Sequence, residues 1–261
     1  MMNNAMDTWL EPEELEVLTA EYRLSLNPLA ADSAFCIPFA DLLNQEKCQH
    51  YLRRVGDIFE TTSETATVSL FAKRYAYLVV ASGLYAMSLF NKGLNVTLEN
   101  GWIESSYQGE VWLPKARLLN TRISMPQAGL RKEWRDQIIQ QMFAGNLSRV
   151  WNALSKTAKI SKSVLWENTA IYVYWLYEKK YVEGASFEQR KQFEEDYHYL
   201  LHDAPAHLFG ESRNPLQQFN SPKTTTSESD TPIRVRKTCC YYYLVSDEPN
   251  DYCSTCPKRG H

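Results

Sequence analysis

The sequence predicts an α+β fold: a mostly helical body, a small antiparallel β insertion near its middle, and a cysteine-rich C-terminal segment. Three observations carry that prediction. Apolar residues recur at helical spacing over most of residues 13–202, they alternate around residues 93–113, and four of the six cysteines fall in the last twenty-three residues. With 261 residues, 44 % apolar and 13 % aromatic, the chain can bury a substantial core in one large domain or two small ones.

Glu13 to Leu26 reads as the first helix, with Leu15, Val17, Leu18, Tyr22 and Leu26 in phase. Pro38 opens a second, running to Phe59 through Leu42, Leu43, Tyr51, Leu52, Val55 and Ile58. A third follows Thr62-Ser63-Glu64, with Ser63 placed to cap it, and carries the longest apolar run, Tyr75 to Phe90. That run holds sixteen residues, short of the roughly 20 that a spanning helix needs. Ser82, Gly83 and Ser88 suit helix packing, so it reads as a buried core helix rather than one lying in a membrane interface.

Gly93 to Gly101 alternates like a strand and ends on an Asn100-Gly101 turn signal, from which Trp102-Ile103 returns. Tyr107 to Leu113 reads as another strand, stopped by Pro114. Helices resume from about Leu130 to Leu154, Ser163 to Tyr181 and Phe187 to His202. The apolar pattern lapses from Glu211 to Thr231, within which Ser221 to Pro232 reads as a polar linker. The chain thus divides into a body (1–220), a linker (221–232) and a C-terminal segment (233–261), where Ile233 to Val245 alternates like a strand leading into the cysteines. No internal repeat is present.

A net charge of −3 excludes strong non-specific nucleic-acid binding, which needs a basic surface. The charge is uneven: residues 1–60 carry eleven acids against four bases, whereas residues 232–261 carry five bases (Arg234, Arg236, Lys237, Lys258, Arg259) against three acids. Charged side chains are mostly ordinary solvated surface; the alternative with consequences is a basic rim around the cysteines. Met1 to Asp7 has no basic region and no apolar stretch before a cleavage site, so no secretory signal is read and a cytosolic location, where thiols stay reduced, is expected.

The clustered cysteines run Cys239-Cys240, twelve residues, then Cys253-Ser254-Thr255-Cys256. Such clustering implies a shared task. A disulfide framework conflicts with a cytosolic location, and adjacent cysteines bridge only in a strained ring. A thioredoxin-like pair at Cys253 and Cys256 relies on a helix N-terminus to lower the thiol pKa, and only Pro257 to His261 follows. A metal site remains. Four thiolates suit zinc or iron–sulfur, but adjacent cysteines on an extended segment point to opposite sides. That pair reaches a two-iron cluster more naturally than one tetrahedral ion, so the spacing favours iron–sulfur and leaves zinc open. Cys36 and Cys48 are isolated and read as small buried hydrophobes. His198 and His202, with Asp203 and His207 nearby, lack the arrangement of a His-Glu-x-x-His metal site.

Arg236-Lys237-Thr238-Cys239-Cys240, a loop, and Cys253-x-x-Cys256-Pro257 together resemble the signature of the FhuF-like ferric-siderophore reductases. A second segment, Val164 to Thr169 followed by Tyr172, Tyr174, Trp175 and Tyr177, is similar to that family's Trp-x-Asn segment, through Trp166 and Asn168. The cysteine pattern is specific, whereas Trp-x-Asn is weak alone and Trp166 reads by burial habit as core. The loop here holds twelve residues where the family pattern has ten, and the two extra residues within Val245 to Tyr252 are expected to bulge outward.

The resemblance implies a [2Fe–2S] cluster on Cys239, Cys240, Cys253 and Cys256, and an oxidoreductase that passes one electron to siderophore-bound Fe(III). Fe(III) is a hard ion that hydroxamate and carboxylate oxygens hold far more tightly than Fe(II), so one electron loosens the complex. A hydroxamate or citrate-hydroxamate siderophore is the expected substrate. Arg234, Arg236 and Lys237 are the candidate contacts to an anionic ferric complex, and could equally dock an acidic electron donor. No Gly-x-Gly-x-x-Gly is present, so electrons are expected from a separate ferredoxin or flavoprotein rather than from bound nicotinamide. No transmembrane segment is read, with room for transient association with the inner face of the cytoplasmic membrane. The rival readings are a zinc-stabilised, non-catalytic binding module and an iron–sulfur sensor.

Overall fold

The computed structural model describes residues 8–26, 35–180, 184–226, 229–246, 248 and 251–259. Helix α1, Pro12–Glu21, starts with proline in its first turn and with a capping box between Glu11 and Glu14. Arg23 takes φ +56°, which ends the helical path, so Leu24–Ser25 leaves the predicted first helix and forms strand β1. Strand β2 is Cys36–Pro38, and a 3-10 turn covers Phe39–Leu43. The second helix therefore opens later than Pro38: α2 is Gln45–Ile58, with the Asn44 side chain accepting from the Lys47 N–H at 3.1 Å.

Helix α3, Glu64–Phe90, begins as expected, with Ser63 Oγ accepting from the Ala66 N–H at 3.3 Å. A helix apolar on all sides belongs inside a protein, and α3 is buried along most of its length. It packs chiefly against α6, Lys162–Lys179. Helices α4 (Arg131–Met142) and α5 (Ser148–Ala158) join through a π-helical turn at Phe143–Leu147 into the single predicted helix, and α7 (Phe187–His198) ends in a π turn over Tyr199–Asp203. A short α8, Pro215–Phe219, follows. The expected α6 end at Tyr181 and the N-terminal Met1 to Asp7 lie outside the described residues.

The β structure departs most from the sequence reading. Of the strand expected over 93–101, only β3, Gly93–Leu94, forms, and it pairs antiparallel with β8, Ile123–Ser124. Asn100-Gly101 makes no hairpin. The Asn100 side chain donates to the Asn95 carbonyl at 2.7 Å and to the Asn120 carbonyl at 2.9 Å, tying two loops together. Gly101 is required by close approach, since a Cβ there would lie 2.2 Å from the Phe39 ring. Strand β4, Gly101–Glu104, instead pairs with β2 and with β7, Lys115–Leu118. Tyr107 to Leu113 folds as a hairpin of β5 (Tyr107–Gln108) and β6 (Val111–Trp112), turning at Gly109 with φ +59°.

The main sheet runs β1-β7-β4-β2, antiparallel except for the parallel β1–β7 pair. It is thus assembled from N-terminal and central segments and is not an insertion confined to residues 93–113. The polar linker predicted over 221–232 carries a two-stranded antiparallel ribbon, β9 (Thr224–Thr226) and β10 (Ser229–Ile233). Regular strand structure stops at Ile233, so the strand expected to reach Val245 is absent from the described residues there.

Candidate metal centre

From Ile233 onward the chain is laid on α6 and α3, and three buried polar side chains hold it. The Glu167 carboxylate accepts the backbone N–H of Lys237 at 2.6 Å and of Thr238 at 2.8 Å, together with the Thr238 hydroxyl. Asn168 Nδ2 donates to the Ser69 carbonyl at 2.9 Å, while Asn168 Oδ1 accepts from the Arg236 guanidinium at 2.8 Å. Ser69 Oγ in turn donates to the Cys240 carbonyl at 2.8 Å. The Arg236 N–H donates to the Thr255 carbonyl at 2.9 Å, which ties the approach to the first cysteine pair to the turn of the second. Trp166 is buried beside Phe143 and its indole N–H donates to Glu211 at 3.0 Å, a core role as expected.

Of the four C-terminal cysteines, Cys240 and Cys253 meet directly beside this platform, and none of the six cysteines is bridged. Cys240 and Cys256 are buried, whereas Cys239 and Cys253 are half-buried, so each adjacent or near-adjacent pair sends one sulfur inward. The Cys240 and Cys253 sulfurs lie 3.5 Å apart, close enough to share a proton. That sharing pulls the Cys240 thiol down against its burial, with Lys73 and Arg236 adding to the effect, and it pushes Cys253 well up. Cys239 is raised, first by burial, while the Tyr241 N–H partly opposes the rise.

Backbone amides point at two sulfurs: Tyr241 N–H to Cys239 and Lys258 N–H to Cys256, each at 3.4 Å. Tyr241 takes φ +60°, which bends the chain sharply after Cys240, and the Cys256 N–H closes the second turn on the Cys253 carbonyl at 2.9 Å. Among the described residues, no three His, Cys, Asp or Glu side chains converge on a position for a single metal ion. A close Cys240–Cys253 pair, with Cys239 and Cys256 on the same two turns and amide donors on their sulfurs, is a donor set whose chemistry suits a thiolate-held cluster.

The basic rim faces largely inward. Arg236 is only 4 % exposed and spends its guanidinium on Asn168, the Thr238 carbonyl and Glu167. Arg234 pairs with Glu178 at 2.8 Å and lies over the Tyr174 ring. Lys237 is exposed, but its ammonium reaches the Gln218 carbonyl. Burial would raise the Glu178 carboxyl, yet hydrogen bonds from Arg234, Lys223 and Tyr197 together hold it at about 2. The sequence reading missed Ser69, Glu167 and Lys73. A buried acid and an exposed one look alike in a helical pattern, so periodicity carried no signal for them.

Cys48 is buried as expected and its thiol is pushed up to about 12 by that burial, while Cys36 is half-buried in β2. The His198 and His202 rings lie 4.7 Å apart on the surface, tilted at 45°, with His198 3.3 Å from Asp203.

Residues 69–236 match the family described as "Ferric iron reductase FhuF-like transporter", and residues 236–258 match the "FhuF 2Fe-2S C-terminal domain". The second match contains all four cysteines and indicates a [2Fe–2S] cluster. Its boundary with the first falls on Arg236, the residue that joins the two parts by hydrogen bonds. No curated protein matches the chain. Among solved structures, the aerobactin synthetase IucA of a hypervirulent Klebsiella pneumoniae is similar with a TM-score of 0.44 and 12 % identity, over 67 % of this chain and 34 % of that one. Its ATP-bound form gives the same TM-score and identity over 33 % of its length, so the chain spans about a third of both structures.

Proposed function

The chain belongs to the FhuF-like ferric iron reductase family and carries a [2Fe–2S] cluster, and from that premise we propose that it is a cytoplasmic ferric-siderophore reductase. The observation that supports this reading best is that Cys239, Cys240, Cys253 and Cys256 all lie inside the matched iron–sulfur domain, with the Cys240 and Cys253 sulfurs 3.5 Å apart beside a buried polar platform. When bound, the cluster supplies one electron at a low potential, about −400 mV for plant-type four-thiolate centres.

The chain's own residues do the rest. The four cysteines hold the group, the Tyr241 and Lys258 amides donate to sulfur, and Lys73 and Arg236 place positive charge beside Cys240 and Cys253. Glu167, Asn168 and Ser69 fix the position of the first cysteine pair relative to the helical body. The substrate iron gains the electron and leaves as Fe(II), because hydroxamate and carboxylate oxygens hold Fe(II) much less tightly than Fe(III).

Electrons reach the protein from a separate ferredoxin or flavoprotein. The cytoplasmic placement agrees with unbridged cysteines, and no helix of the described residues is long and apolar enough to cross a membrane. Steady-state formation of Fe(II) from a ferric hydroxamate siderophore, trapped by a ferrous chelator with a flavoprotein reductase as electron source, tests the reading. The rate is expected to scale with cluster-loaded protein and to vanish with Cys240→Ser; no increase over the donor alone would refute it.

A further inference from the structure

We propose that the cavity between the end of α2, α3 and the loop after Cys240 binds the ferric siderophore through a free carboxylate, which Lys73 recognises. This rests on the reductase reading and names where, and by which charge, the substrate docks. The cavity measures about 430 Å³ and has walls from Phe59, Leu70, Lys73, Tyr242 and Leu244. That volume lies within the roughly 300–1,000 Å³ of small-molecule sites, and a concave space suits a chelate better than the face of a donor protein. Tyr242 forms part of this wall and stands two residues after Cys240, so the cavity adjoins the cysteine segment.

Charge selects the class of ligand. Among the described residues no carboxylate pairs with Lys73 or with its neighbour Arg74. Arg74 donates to the carbonyls of Trp112 and Leu70 and lies over the Phe59 ring, and burial lowers its pKa to about 10. The lining holds one acid, Glu60, and Asp251 accepts from the Ser246 hydroxyl at the rim, so it is the ammonium of Lys73, without a carboxylate partner among the described residues, that offers a carboxylate its site. The other cavities fit less well. One of about 500 Å³ contains no residue of the cysteine segment. One of about 350 Å³ reaches Thr255, but its cations Arg234, Lys223 and Arg236 are already paired with Glu178 and Glu167, which leaves the exposed Lys179.

Gallium(III) matches ferric iron in charge and coordination but is not reduced, so its chelates report binding without turnover. Calorimetric titration of the cluster-loaded protein with the gallium complex of a citrate-derived dihydroxamate bearing a free carboxylate, and with a neutral gallium trihydroxamate, separates charge recognition from simple fit. Lys73→Gln is expected to weaken the first complex about tenfold, a change of about 1.4 kcal/mol, and more at low salt, while leaving the second nearly unchanged. Leu244→Trp at the cavity rim is expected to weaken both. Equal weakening of both complexes by Lys73→Gln, or no effect of either variant, would overturn the inference. So would a Lys73→Gln protein whose only defect is slower reduction by the donor. The reductase reading fails separately, if the wild-type protein reduces no ferric siderophore.

Discussion

A carboxylate sunk in a helix interface is tolerated only when its lone pairs all find donors, and Glu167 meets that condition with donors from the cysteine segment itself. Glu167→Gln keeps one acceptor oxygen but leaves the buried Arg236 guanidinium without its counter-charge at 3.6 Å. The variant is expected to lose about 3 kcal/mol in urea unfolding and to bind less iron, since breaking one partner of a buried pair strands the other; wild-type stability and iron content would contradict the anchoring role. Replacing Cys239, Cys240, Cys253 or Cys256 singly by Ser should abolish the visible cluster spectrum, whereas Cys36→Ser and Cys48→Ser should keep it. Loss of colour in Cys36→Ser with retention in Cys240→Ser would reverse the ligand assignment. Glu178 supplies a pH signature. Its carboxyl sits at about 2, below the ordinary 4.5, so its contribution is complete above about 4.5 and disappears as pH falls towards 2. Wild-type protein should therefore lose more stability across that window than Glu178→Gln, and parallel pH profiles would show that the Arg234–Lys223–Tyr197 group does not hold the carboxylate.

Among the elements, long helices were the most legible part of the sequence. Helix α3 was recognisable because Ser63 stands at its cap and its apolar run is too dense for a surface, and α6 because its aromatics recur without a break. The strands were not, for a physical reason: most hold only two to four residues, too few for a period of two to show, and the partners of β1 and β2 lie far along the chain. Gly101 resembled a turn glycine and proved to be a packing glycine beneath Phe39. The cysteine cluster could be read from its spacing together with the family signature, yet its support could not, because Ser69 and Glu167 stand in helical sequence like any surface residue. This changes what apo-protein should look like. Residues 234–240 are fastened by α6 and α3, whereas the loop beyond Cys240 depends mostly on its own contacts, such as Lys258 to the Tyr243 hydroxyl at 3.1 Å and Ser246 to Asp251 at 2.7 Å. Removing the cluster removes a binding free energy that folding of that loop draws on. Limited proteolysis with mass spectrometry should find new cleavage after Tyr242, Tyr243 or Tyr252 in the apo form only, with Lys237 protected and helical circular dichroism unchanged. Cleavage at Lys237 in apo-protein would show that the buried network does not hold the segment by itself.

At the scale of the whole molecule, the helical body works as a stand that presents a small metal-bearing segment at its edge. Helix α3 connects the two tasks: Ser69 fixes the carbonyl of Cys240, and Lys73 one turn later faces the cavity beside Tyr242. Electron donor and ferric complex therefore need reach only the rim of the fold, and driving force is set by the difference in potential, with each 59 mV worth about tenfold in a one-electron equilibrium. A zinc module would carry no electron, and a sensor would keep its reduced state in the presence of substrate. Anaerobic mixing of the reduced protein, freed of reductant, with a ferric hydroxamate siderophore and a ferrous chelator separates these possibilities most directly. The oxidised cluster spectrum should return at the same rate at which the Fe(II) chelate appears, with about one Fe(II) per cluster, as a one-electron donor requires. A reduced spectrum that persists while no Fe(II) is trapped would contradict the assignment of this chain as a ferric-siderophore reductase.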